Sequence, residues 1–278
     1  MDAPERPRVA NDRTAMRIFD AHLDSVPRDD DDLDNLSWFD TVDALVVPGP
    51  RGGLERADDL LARLDALIDE EGPRLSRHGV RTVFAFGVHP TARPRRAWDA
   101  AQVEIERRVM TTPEIRAVGE IGFVTGDADE WRLAEWQLAL AGATGRAAVA
   151  RLPMHDRLGV ARRLVTTAAE CGLPAERLIV GPIDYTVFRG LADAGATGSI
   201  HLGDDALDVR DAADLVARFG SVARRRLVIG TATRSGPFDV LAAARLGSLL
   251  TKRGVDDDTI DAVLYRNAAA RFRFSPDR

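Results

Sequence analysis

Eight short apolar runs punctuate this chain, and helical patterns separate nearly all of them. The runs fall near residues 16–23, 44–47, 82–86, 115–118, 147–152, 178–180, 197–202 and 226–229. Between them apolar positions recur three and four apart, as at Leu60, Leu61, Leu64, Leu67 and Ile68, the pattern of a helix with one buried face. Helices are expected near 56–71, 96–110, 129–144, 157–171, 185–194, 209–219, 237–252 and 256–270, with Gly72-Pro73 ending the first. Strands joined through helices pair in parallel with right-handed crossovers. Eight such units within 278 residues predict an α/β fold, a single (β/α)8 TIM barrel; a doubly wound open sheet is the alternative. No second domain or internal repeat is visible. Residues 1–15 are polar and carry Pro4 and Pro7, so a disordered tail is expected ahead of a barrel at 16–278.

In such a barrel the reactive groups sit where strands end. The first strand, within Arg17-Ile-Phe-Asp-Ala-His-Leu-Asp24, is expected to turn Asp20, His22 and Asp24 to one face by simple alternation. Other strand ends carry His89, Glu120, Arg151, His201 and Thr231. Polar groups buried at such positions meet a metal, a substrate or one another. His155-Asp156 offers an acid/base pair, although a surface loop is the plainer reading. The acidic run Asp29 to Asp32 with Asp34 reads as a solvated loop, or more sharply as a cation-binding lip. Arg93, Arg95, Arg96 and Arg224 to Arg226 read as solvated faces, or as a phosphate-handling rim. Trp131 and Trp136 read as helix packing, and His78 as exposed.

Composition narrows the function classes. A net charge of −6 argues against a general grip on nucleic acid by bulk electrostatics. The single cysteine, Cys171, permits no internal disulfide and no cysteine-based zinc cluster, and fits a reducing, cytoplasmic setting. No apolar run approaches the ~20 residues of a membrane span. The chain lacks a Gly-x-Ser-x-Gly elbow, a phosphate loop and a dinucleotide glycine fingerprint. Metal-assisted hydrolysis remains, and it requires several His, Asp or Glu side chains to converge on one point.

Three stretches, Asp20-Ala-His22-Leu-Asp24, Gly87-Val-His-Pro90 and Gly119-Glu-Ile-Gly122, resemble motifs of the TatD family of metal-dependent hydrolases. The resemblance extends to Gln137-Leu138, to Pro153 through Arg157, and to Asn267 and Phe272, and is strongest to the branch that includes the EboB-type proteins. It implies an amidohydrolase-like barrel with two metals held by ligands from several strands. The chain departs from that pattern at most ligand positions. The second histidine of strand one is Asp24 here. The histidine of strand five falls on Arg151, and His155 replaces it only by a four-residue shift. The histidine after strand six falls near Pro182, and the aspartate of strand eight on Gly230.

His22, Asp24 and Glu120 are therefore the residual metal candidates, with Asp20, His89, Arg151, His155, His201 and Thr231 as pocket candidates. A guanidinium cannot ligate a cation. Arg151 is instead expected to neutralise the carboxylates in place of a metal, giving a degenerate site that binds a small-molecule or protein ligand. Two alternatives stay open. One is a single-metal hydrolase of phosphoester, ester or amide bonds, using one zinc, manganese or iron ion on His22, Asp24, Glu120 and His155 or His201. The other is a structural subunit of a biosynthetic or defence assembly.

Overall fold

The computed structural model describes residues 16–49, 52, 54–202, 207–231 and 239–275. The expected tail at 1–15 and the first residues of the helix expected from 237 lie outside them. Eight parallel strands pair in chain order: β1 (Ile18–Leu23), β2 (Thr41–Val46), β3 (Arg81–Phe86), β4 (Ile115–Ile121), β5 (Ala147–Arg151), β6 (Leu178–Gly181), β7 (Thr197–His201) and β8 (Leu227–Gly230). Helices alternate with them, and β8 returns beside β1, which makes the (β/α)8 barrel.

Two apolar layers result from the strand alternation. Val83, Ala85, Ala117, Ala147, Val149, Ile179 and Val228 fill the interior, while Ile115, Val118, Ala148, Leu178, Val180, Leu227 and Ile229 pack outward on the helices. Tyr265 and Phe272, from the C-terminal helical segments, plug the N-terminal mouth against Phe19, with ring centroids 6.2 and 5.6 Å from it. Beside that plug lies Asp43, fully buried in β2. It accepts two hydrogen bonds from Arg81, at 2.8 and 3.0 Å, and one from the Tyr265 hydroxyl at 2.7 Å. The interior is thus sealed at one end, and the polar strand ends stand at the other.

Local chemistry revises some boundaries. The acidic run is not a loop: Asp29 caps the helix Asp30–Trp38, accepting from the Asp32 backbone N–H, and three aspartates sit in its first turn. Carboxylates there face the unpaired N–H groups of the helix start. His78 is not simply exposed, since its Nδ1 lies 2.7 Å from Asp34 of that run. The first long helix does not end at Gly72-Pro73. Ala57–Ala66 passes through a π-helical turn, Leu67–Glu71, into Gly72–Arg77, and Pro73 falls directly after that turn.

Candidate functional site

Two breaks in strand register decide what gathers at the open mouth. Pairing of β1 with β2 slips between Asp20 and Leu23, and pairing of β4 with β5 slips between Val118 and Ile121. A bulge interrupts alternation and re-aims side chains. Asp20, His22 and Asp24 consequently do not point to one spot.

Asp20 reaches across the barrel seam. One carboxylate oxygen accepts from the backbone N–H of Thr231 at 3.1 Å and from that of His22 at 2.9 Å, while the other meets the Thr231 hydroxyl. Burial pushes the Asp20 carboxyl above its ordinary pKa, against the opposing pull of those hydrogen bonds. Asp24 lies beyond the strand end with its carboxylate against Gly49, where a β-carbon would collide with it, and it faces Arg28.

His22 turns instead to Glu120. Its Nε2 lies 3.1 Å from Glu120 Oε1 and donates to it. Arg151, the last residue of β5, places Nη1 3.5 Å from the same oxygen. Both partners and the acid are almost fully enclosed. Burial alone would raise the Glu120 pKa. The His22 hydrogen bond and the charges of His22, Arg151 and His89 outweigh it and hold the carboxyl at about 2. The second oxygen, Oε2, is buried and has no hydrogen-bond partner among the described residues.

Two more imidazoles complete the cluster. The ring of His201, at the end of β7, lies 4.7 Å from that of His22. His89 follows β3, and its Nδ1 accepts from the Thr91 backbone N–H at 3.3 Å. Its ring occupies the space where Gly122 would carry a β-carbon, so the glycine of the Gly-Glu-Ile-Gly stretch is there to admit His89. His155 does not belong to the cluster. It is exposed in the loop after β5, and Arg151 is the residue at that strand end.

Supporting residues emerge only in three dimensions. Gln137 is fully buried, and its amide accepts from the Val88 N–H at 2.8 Å and donates to the Val88 carbonyl at 3.1 Å, which pins the turn carrying His89. Ser199 lies one strand position pair before His201, buried, with no hydrogen-bond partner for its hydroxyl among the described residues. The polar-at-every-second-residue pattern of Thr197, Ser199 and His201 was the signal for it. Gly181 leaves room for both, since a β-carbon there would lie 2.7 Å from His201 Nε2 and 2.9 Å from Ser199 Cβ.

Among the described residues, no three His, Cys, Asp or Glu side chains stand together in a way that could hold a metal ion. Among them, too, no helix is long and apolar enough to cross a membrane.

No protein-family model matches the chain, and no curated protein matches it. Solved structures do. A TatD-like protein from Archaeoglobus fulgidus superposes with a TM-score of 0.74 at 19% identity, covering 92% of this chain and 99% of the other. A phosphotriesterase homology protein from Escherichia coli, with phosphate in its active site, gives 0.67 at 14% identity over 93% and 99%. A lactonase from Listeria monocytogenes gives 0.68 at 13% identity over 94% and 96%. At these identities the likeness establishes the shared barrel fold.

Proposed function

We propose that this chain is a TatD-like barrel of the EboB-like branch whose two-metal centre has given way to a buried ion-pair cluster, and that it acts in the cytoplasm by binding a ligand or partner. The observation that carries the reading is Arg151 on Glu120. A fixed positive charge stands where the resemblance calls for a histidine ligand, 3.5 Å from the carboxylate that would face the metals. The donor set does not fit a metal pair. Arg151 occupies the end of β5, Gly181-Pro182 the end of β6, and Gly230 the end of β8, so three strands supply no ligand. No catalytic step is assigned to the cluster.

The enclosed Glu120 Oε2 is an ionised acceptor that lacks a donor among the described residues. Leaving such an oxygen unmatched costs about 1–3 kcal/mol or more for a charge. A small ligand presenting an N–H or O–H group, or an ordered water in its absence, supplies that donor.

The test is metal content by mass spectrometry on protein purified without chelator, together with the thermal stability of Arg151→Ala. Sub-stoichiometric metal and a destabilised variant support the reading. Near-stoichiometric zinc, manganese or iron overturns it in favour of the single-metal hydrolase. An unchanged melting temperature removes Arg151 from its neutralising role.

A further inference from the structure

The opposite mouth of the barrel carries a second charged feature, unrelated to the Glu120 cluster. Strand starts in a parallel barrel all lie at its N-terminal face, and arginines occupy several of them. Arg116 is the second residue of β4, Arg146 precedes β5, Arg177 precedes β6, and Arg226 precedes β8. Arg271 and Arg273, at the end of the last helix, fill the interval. Arg271 donates to Thr197, the first residue of β7, at 2.9 Å, and Arg177 donates to the Arg271 carbonyl at 3.5 Å. Gly145, beside Arg146, would place a β-carbon 3.7 Å from the Arg273 guanidinium, and Gly195 one 3.7 Å from that of Arg226. Neighbouring strands lie about 5 Å apart, so the arc from β4 to β8 spans roughly 20 Å.

None of these six arginines makes an ion pair among the described residues, whereas most of the other described arginines do. Arg146, Arg177 and Arg271 donate to backbone carbonyls, of Val109 and Thr112, of Gly145, and of Arg225, but the charges around the arc are chiefly one another's. Burial, and then the charges of Arg116 and Arg273, push the Arg146 guanidinium below its ordinary pKa. Burial and then Arg226 do the same to Arg271, with Glu176 the one carboxylate opposing. The Arg116 Nε–H is enclosed and has no acceptor among the described residues. In a chain of net charge −6, a run of mutually repelling cations with Glu176 as its one opposing carboxylate is an unfavourable arrangement that a bound anion relieves.

We propose that this arc is a docking surface for an extended acidic segment of a partner protein. Guanidinium forks match carboxylates two bonds at a time. An extended segment of about six residues spans the ~20 Å of the arc. A single-stranded nucleic acid fits less well. Such sites pair their cations with aromatic platforms for the bases. Here Phe274, which follows Arg273, already packs edge-on against Phe19 at 5.6 Å and is covered by Arg81.

Fluorescence anisotropy of a labelled octaglutamate on the full chain tests this. Binding at low salt that weakens about tenfold or more at high salt is expected. Arg226→Glu with Arg273→Glu is expected to weaken it by a further factor of about ten, while Arg95→Glu, on another face, leaves it unchanged. Because a charge reversal can unfold the chain, a benzophenone-bearing octaglutamate is also cross-linked to the wild type. Adducts must map to residues at the starts of β4 to β8. No binding, adducts elsewhere, or tighter binding of an oligonucleotide of equal charge would overturn the proposal.

Discussion

A β-carbon at position 230 would stand 2.7 Å from the β-carbon of His22. Real side chains do not approach so closely, so the end of β8 accepts only glycine while His22 keeps its place. Placing an aspartate there does not supply a ligand. Gly230→Asp is expected to lower stability by about 1–3 kcal/mol through overpacking, and more through the added buried charge. Thermal denaturation combined with metal content checks it. A variant that melts normally and gains a metal would show that the site can hold one.

Arg151 and Glu120 form a buried pair, so removing one partner strands the other. Arg151→Ala is expected to cost about 3–5 kcal/mol, and Arg151→Met with Glu120→Gln to recover much of that loss. Urea titrations of the two variants give the comparison. Equal stability of single and double variants would mean the ion pair contributes nothing by itself.

Glu120, held by His22 and then by Arg151, also sets a pH window. Glu120 is held at about 2 against an ordinary 4.5, a depressed value, so its contribution is fully present above 4.5 and is lost as pH falls toward 2. Glu120→Gln is expected to flatten the acid limb of the stability curve in that interval. A curve parallel to wild type would rule out the stabilised carboxylate.

Asp20 behaves with the opposite sign. Its pKa is raised above 3.8, so the fold favours the acid form, and that contribution fades as pH rises through the folded value. Asp20→Asn keeps an acceptor for the His22 and Thr231 N–H groups and is expected to stay within ~1 kcal/mol of wild type. Asp20→Ala, which leaves those N–H groups without an acceptor, is expected to cost about 2–3 kcal/mol. Denaturation at neutral pH separates the two. Equal losses would mean that the charge, not the hydrogen bonds, matters.

Gln137 offers a test away from any charge. Gln137→Leu keeps the volume but abandons both bonds to Val88, and a loss of about 2–4 kcal/mol is expected. Hydrogen exchange at the Val88 amide reads the same event locally.

The barrel was legible because periodicity survives at each of its eight strands, and Val209–Phe219 falls where the spacing puts a helix. Much of the candidate cluster was legible too, since Glu120, Arg151, His201 and Thr231 each end an apolar run. Asp24 was not placed correctly, because alternation presumes an unbroken register and β1 slips after Asp20. A bulge leaves no local mark in a string of apolar letters. Asp43 was overlooked for a different reason. It sits inside β2, and its partners Arg81 and Tyr265 are brought to it only by closure of the sheet.

The bridge from Asp20 to Thr231 also bears on how the chain is made. The carboxylate belongs to the first strand of the barrel to be synthesised, and its principal partners belong to the end of the barrel's last. Throughout synthesis that acid waits, hydrated, while seven strands accumulate with an open edge between β1 and whatever follows. The cylinder cannot lock until Thr231 is delivered, so truncation a few residues earlier yields an unsealed sheet with an exposed edge strand.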